Sequence, residues 1–88
     1  RLLLKLAEES IELFIQTGRK LSLDPGSLPD KLCQPGATFV TLTLNGHLRG
    51  RIGHLEAMQA LALDVVENAR LAAFNDPRFT PLTENEFK

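Results

Sequence analysis

The chain has 88 residues, 43% hydrophobic and 24% charged, which suits one globular domain and excludes disorder. A net charge of −1 selects neither nucleic acid nor an acidic membrane through bulk electrostatics. A single cysteine, Cys33, excludes a disulfide scaffold and points to a reducing cytoplasm, and no apolar run approaches the ~20 residues that cross a bilayer.

Leu4, Ala7, Ile11, Phe14 and Ile15 recur at three- and four-residue steps and predict an amphipathic helix. Gly18 is its expected stop, with Arg19 and Lys20 at the negative end of the helix dipole. Lys5, Glu8 and Glu9 interrupt the apolar start too early for a signal peptide. Residues 21–37, punctuated by Pro25, Gly26, Pro29, Pro35 and Gly36, read as a loop, with one helical turn capped by Ser27. Cys33 falls in this loop and reads as an incidental thiol.

Phe39 to Gly53, FVTLTLNGHLRGRIG, holds two strand-like runs joined by Asn45-Gly46, the strongest short-range signal for a two-residue hairpin. An uninterrupted register sets Leu44 opposite His47, Thr43 opposite Leu48, Leu42 opposite Arg49, Thr41 opposite Gly50, Val40 opposite Arg51 and Phe39 opposite Ile52. A bulge near Gly50 would change it. Both faces carry apolar residues, so both are expected to be covered. A second helix is expected over Met58–Asn75, with Leu61, Val65, Ala69, Ala72 and Ala73 inward and Asp64, Glu67 and Arg70 on the polar side. Pro77 ends it, Asp76 and Arg78 are placed to pair in the loop that follows, and Thr83 with Glu86 has capping-box spacing.

The chemistry concentrates on the hairpin. No carboxylate occurs between Asp30 and Glu56, whereas Lys31, His47, Arg49, Arg51 and His54 all do. On a regular strand Arg49 and Arg51 leave the same face with Cα atoms about 7 Å apart. Their repulsion calls for something negative, either a bound anion or a carboxylate of the protein. Gly50 between them admits a ligand or another backbone. The candidate ligand-binding residues are therefore Arg49, Gly50, Arg51, Gly53, Asn68 and Arg78. Asn68, beside the apolar stripe, must hydrogen-bond something, with a tie to the hairpin favoured over a reach into the pocket. His47 and His54 are candidate acid–base groups or metal ligands, but they lie on different parts of the hairpin without metal-ligand spacing and read as ordinary, partly exposed histidines, so neither metal nor cofactor is expected.

Gly36-Ala37-Thr38-Phe39-Val40-Thr41-Leu42, Gly46-His47-Leu48-Arg49-Gly50-Arg51-Ile52-Gly53, Glu67-Asn68-Ala69, Ala72-Ala73-Phe74-Asn75-Asp76-Pro77-Arg78-Phe79 and Pro81-Leu82-Thr83 follow in order. The series resembles the AMMECR domain family, named after a human chromosomal region associated with Alport syndrome and elliptocytosis. The resemblance implies an α+β fold, helix, loop, β-hairpin, helix, forming part of a largely antiparallel sheet flanked by helices. Family domains are about twice as long, so residues 1–88 are expected to be the N-terminal fragment of a single such domain. The family pattern at the hairpin is LRGCIG, its cysteine a candidate nucleophile or redox group, and Arg51 stands at that position. The family is also linked to a dioxygenase-like protein and a radical S-adenosylmethionine enzyme.

The function expected is a binding or accessory module in the cytoplasm, off the membrane, with an anion site on the hairpin for a small molecule or nucleic acid. The alternative is an enzyme, or a component of a redox or RNA-modifying system with radical S-adenosylmethionine partner proteins. A third expectation is homo-oligomerisation through exposed sheet edges.

Overall fold

The helical period of the first residues becomes α1 (Leu2–Thr17) in the computed structural model, which describes residues 2–24, 26 and 28–87. Leu6, Ser10 and Ile11 are its buried residues, with Leu3, Ala7 and Ile15 packed beside them. Leu4, expected in this stripe, is 63% exposed. The inward face runs through positions 3, 6, 7, 10 and 11; Leu4 lies at its edge, within about 20° of Ile11, and among the described residues is left uncovered in the first turn. Gly18 stops the helix in the left-handed region (φ 72°), and its N–H donates to the Phe14 carbonyl at 2.8 Å.

The Pro/Gly-rich stretch holds more structure than a loop. A helical turn, α2 (Asp30–Cys33), follows Pro29 at its N-cap. Ser27, the expected cap, lies outside the described residues. Two residues, β1 (Pro35–Gly36), then pair antiparallel with β4 (Gln59–Ala60). Two-residue strands have no period to read. The pairing is sealed by the Leu61 N–H donating to the Gln34 carbonyl at 2.8 Å, with Gly36 against the Leu61 side chain.

The hairpin comprises β2 (Phe39–Leu44) and β3 (His47–Gly53). Asn45 (φ 54°) and Gly46 (φ 82°) form the expected turn, with positive φ at both central positions. Next to the turn the register is the expected one, Leu44 with His47 and Thr43 with Leu48. It then slips, pairing Leu42 with Gly50, Thr41 with Arg51, Val40 with Ile52 and Phe39 with Gly53. Arg49 is the extra residue of a β-bulge. The reason lies beneath the strand. Gly50 is buried directly on the Ala72 carbonyl oxygen, where a Cβ would collide. A strand without a bulge would send residue 49 toward the helix, and an arginine cannot occupy that contact.

The slip also settles which face is covered. Val40, Leu42 and Leu44 are half-buried, whereas Phe39 (52%) and Leu48 (42%) stay exposed on the outer face beside Thr41, Thr43 and Arg51. Among the described residues only the inner face has a cover, contrary to the expectation of two.

That cover is α3 (Leu61–Phe74), three residues shorter at its start than expected because Gln59 and Ala60 are taken by β4. Ala62, Val65, Val66, Ala69 and Ala73 are buried, and two apolar clusters join them to Leu6 and Ile11 of α1. Small side chains bring α1 and α3 together. Ser10 is fully buried, and its hydroxyl donates to the Val66 carbonyl at 2.8 Å across the helix pair. The chain then returns through Leu82, whose N–H donates to the Ala73 carbonyl, into α4 (Glu84–Phe87). The capping box forms as expected, the Glu86 N–H donating to Thr83 Oγ1 at 3.3 Å and the Thr83 N–H to Glu86 Oε1 at 3.0 Å. The result is an α+β arrangement of helices with two small antiparallel sheets.

Gly50→Ala places a methyl group against helix backbone and is expected to cost about 2–3 kcal/mol, read as a lowered urea midpoint. Gly46→Ala has open space around it, suffers only the positive φ, and is expected to cost about 1 kcal/mol. Equal losses for the two would show that the Gly50–Ala72 contact is not tight.

Candidate functional site

The bulge separates the two hairpin arginines. Arg49 turns toward α4 and meets Glu86 in a bidentate pair, Nε to Oε2 and Nη2 to Oε1, both at 2.9 Å. Its Nη2 also donates to the Pro81 carbonyl, and only 11% of the side chain is exposed. Arg51, opposite Thr41 on the outer face, is exposed, with its guanidinium carbon 5.4 Å from the Phe39 ring centroid. Arg49 and Arg51 therefore do not leave the same face as they would on a regular strand. Arg49 has the protein's own carboxylate, and the cavity of about 200 Å³ beside it is lined by Glu8 as well as Glu86. Two carboxylates around one guanidinium repel an anion.

Arg51 is held by its backbone. Its N–H donates to Asp76 Oδ2 at 2.9 Å. Asp76, buried, also receives the Arg78 N–H on Oδ1 at 3.0 Å, and the Arg78 guanidinium grips it through Nε (3.1 Å) and Nη2 (2.8 Å). The expected Asp76–Arg78 pair thus forms and extends to the hairpin, Arg78 Nη2 lying 3.5 Å from the Arg51 carbonyl. Arg78 hydrogen bonds hold the Asp76 carboxyl far below the usual carboxylate range. Arg78 itself remains 55% exposed. Gly53 lies under the Phe39 ring, where a Cβ would collide.

A second polar cluster sits at the other end of the hairpin, around a residue expected on the polar side of the helix. Asp64, in the first turn of α3, is fully buried. Its Oδ2 accepts from the Thr38 N–H and Oγ1 at 2.7 Å each and from Asn68 Nδ2 at 3.1 Å. Its Oδ1 lies 2.6 Å from His54 Nδ1 and 3.2 Å from Gln59 Nε2. Burial pushes the Asp64 carboxyl up, and the hydrogen bonds from Thr38, Gln59 and His54 reverse this, leaving it below its ordinary value. Asn68 makes the tie to the hairpin, with Nδ2 3.1 Å from both the carbonyl and Oγ1 of Thr38. Nδ2 faces oxygen acceptors, which fixes the amide and leaves its buried Oδ1 without a donor among the described residues. The spacing of Asp64 and Asn68, four apart beside the apolar stripe, was the signal in the sequence for this cluster. Thr38 and Gln59 gave none, and His54 stood out only as a candidate acid–base side chain with no partner indicated.

Among the described residues no three of His, Cys, Asp and Glu converge as metal ligands, and no helix is long and apolar enough to cross a membrane.

The Arg49–Glu86 pair carries a pH signature. Hydrogen bonds from Arg49, and then from the Thr83 N–H, hold the Glu86 carboxyl down to about 2. A carboxyl depressed in the folded state stabilises above its unfolded pKa of about 4.3 and loses that contribution as pH falls toward the folded value. Thermal unfolding should therefore show wild type above Glu86→Gln at pH 7, with the gap closing between pH 5 and 2. A pH-independent gap would disprove the assignment.

The arrangement has counterparts. The AMMECR1 family model matches residues 4–88. A protein of Methanothermobacter thermautotrophicus is 41% identical over 86 residues, covering 98% of this chain and 44% of that protein. One of Thermotoga maritima is 40% identical over 85 residues, covering 93% of this chain and 48% of its own length. The crystal structure of the uncharacterized protein PH0010 from Pyrococcus horikoshii superposes with a TM-score of 0.89 at 31% identity, covering 97% of this chain and 44% of that one. The chain spans less than half the length of these relatives, and it belongs to the AMMECR1 family.

Proposed function

We propose that the chain is a binding module whose outer hairpin face takes an anion at Arg51, with Arg78 beside it. One observation carries this reading. Among the described residues the Arg51 guanidinium has no carboxylate partner, while Arg49 is neutralised by Glu86 and Arg78 shares Asp76. Arg51 and Arg78 counted against the single Asp76 carboxylate, which only the Arg78 guanidinium touches, leave a local positive charge. The Asp76 anchor on the Arg51 N–H holds the strand still beneath it. The other expected residues serve this face indirectly: Gly50 seats the strand on α3, Gly53 seats the Phe39 ring, Asn68 ties α3 to the start of β2, and Arg49 is spent on Glu86.

The exposed neighbours Phe39, Thr41 and Leu48 give the anion site an apolar and hydroxyl-bearing surround. An arginine stacked on an aromatic ring suits a phosphate attached to a planar base. A small phosphorylated molecule or a single-stranded nucleic acid is therefore the ligand class, in keeping with an accessory role beside an RNA-modifying enzyme.

Titration with inorganic phosphate, a nucleoside monophosphate and a short single-stranded RNA, followed by NMR at low salt, is expected to give saturable shifts at Arg51 and Phe39. Arg51→Ala should weaken binding about tenfold, and Lys31→Ala should leave it unchanged. Absence of saturable shifts with all three probes would overturn the anion site.

A further inference from the structure

The buried Asp64 carboxylate does something to His54 that its structural ties do not require. An ionised carboxylate only accepts hydrogen bonds, so the 2.6 Å contact puts the proton of neutral His54 on Nδ1 and leaves the lone pair on Nε2. Asn68 Nδ2, 3.3 Å from the same Nδ1, is another donor and has better acceptors in Thr38 and Asp64, so it does not compete for this assignment. The Asp64 side chain is fully buried, whereas 36% of the His54 side chain is exposed. With Nδ1 against the carboxylate, the open part of the ring is the Nε2 side. The backbone that carries the ring is anchored as well, the His54 N–H donating to the Thr38 carbonyl at 3.0 Å.

We propose that His54 is a general base, a catalytic site separate from the arginine face, with Asp64 as its positioning residue. In the step it supports, the O–H bond of water or of a ligand hydroxyl breaks, Nε2 gains the proton, and the oxygen keeps the electron pair as a nucleophile. The imidazolium that forms lies against the Asp64 carboxylate, which stabilises it until the proton passes to the leaving group or solvent.

The surroundings define the ligand. Leu55 (89% exposed) and Met58 (76%) stand open in the segment that joins His54 to Gln59. Gln59 links the cluster to Glu67 (Nε2 to Oε1, 2.7 Å), and Glu67 shares the wall of a cavity of about 290 Å³ with Lys20 and Arg70, so its charge is offset there. The uncompensated charge at the ring is that of Asp64, which disfavours an anion near Nε2. The class is an uncharged molecule with an apolar body, an ester or hydroxyl compound, in contrast to the anions suited to Arg51.

Two measurements test this on the 88-residue chain. Nitrogen-15 NMR of the unsubstituted protein at pH 8 is expected to show His54 chiefly as the Nδ1–H tautomer, the opposite of free histidine. Dominance of the Nε2–H form would overturn the proposal without any variant. The second probe is p-nitrophenyl acetate, whose carbonyl carbon gains the water oxygen and loses p-nitrophenolate. His54→Gln should lower hydrolysis at least fivefold, His47→Gln should leave it unchanged, and 3-carboxy-4-nitrophenyl acetate, whose carboxylate cannot reach its own ester carbonyl, should react several-fold more slowly. Equal rates for wild type and His54→Gln would sink the base, and equal rates for the two esters would sink the ligand class. Neither result bears on Arg51, so the two sites stand or fall separately.

Discussion

The contact between Gly50 and the Ala72 carbonyl oxygen governs the molecule. A strand lying backbone-to-backbone on a helix can present only glycine at the point of contact. With the Asn45-Gly46 turn fixing the pairing at one end, residue 50 reaches the helix only if one residue is squeezed out, and that residue is Arg49. The bulge is thus the price of seating the hairpin on α3. It sends one guanidinium to α4 and the other to solvent, and it brings Ile52 to the inner face beside Val40, leaving Phe39 and Leu48 outside.

Two buried acids then fasten the hairpin at its open end and beside it. Asp64 gathers Thr38 before β2, His54 after β3 and Gln59 before α3. Asp76 takes the Arg51 N–H from the middle of β3 and clamps it to the loop after α3. Neither acid is free to be replaced by an apolar residue of similar size, because each satisfies several backbone or side-chain donors that would be stranded in the interior. Asp76 has a full cation in Arg78, and Asp64 has among its contacts only neutral donors and an imidazole. That asymmetry makes the two ends chemically different: at the Asp76 end the carboxylate is matched by Arg78 and the Arg51 guanidinium is left over, and the Asp64 end keeps a negative charge that a proton on His54 would balance.

Much of this was legible. Features set by neighbouring residues could be read directly: the Gly18 stop, the Asn45-Gly46 turn, the Asp76–Arg78 pair and the Thr83–Glu86 box. Features set by distant chain could not. Gly50 itself signals a bulge nearby, as found, but its cause, a helix carbonyl more than twenty residues away, is a backbone contact that sequence periodicity does not register. Asp64 read as surface because its main donors sit on Thr38, 26 residues earlier. A lone amide beside an apolar stripe demands a partner, which singles out Asn68, and the same logic applies to Asp64 four residues earlier. The β1–β4 pair is too short for any pattern.

The arginine in place of the family cysteine is explained by the same geometry. Position 51 falls on the outer face, opposite Thr41, where its side chain reaches solvent. A guanidinium there buries no charge and gains the Phe39 ring beneath it. Positions 49 and 50 have no such freedom, since the Arg49 guanidinium is bonded to Glu86 and Gly50 has no room for a side chain. The fold therefore asks of residue 51 only its backbone N–H, which Asp76 holds whatever the side chain. The side chain is released from structural duty, so its chemistry can change from thiol to cation without disturbing the hairpin. Cys33, the chain's one thiol, lies on α2, a separate element from the hairpin. Thiolate chemistry at the hairpin position is closed to this sequence, and what that position offers in exchange is a fixed, solvent-facing positive charge.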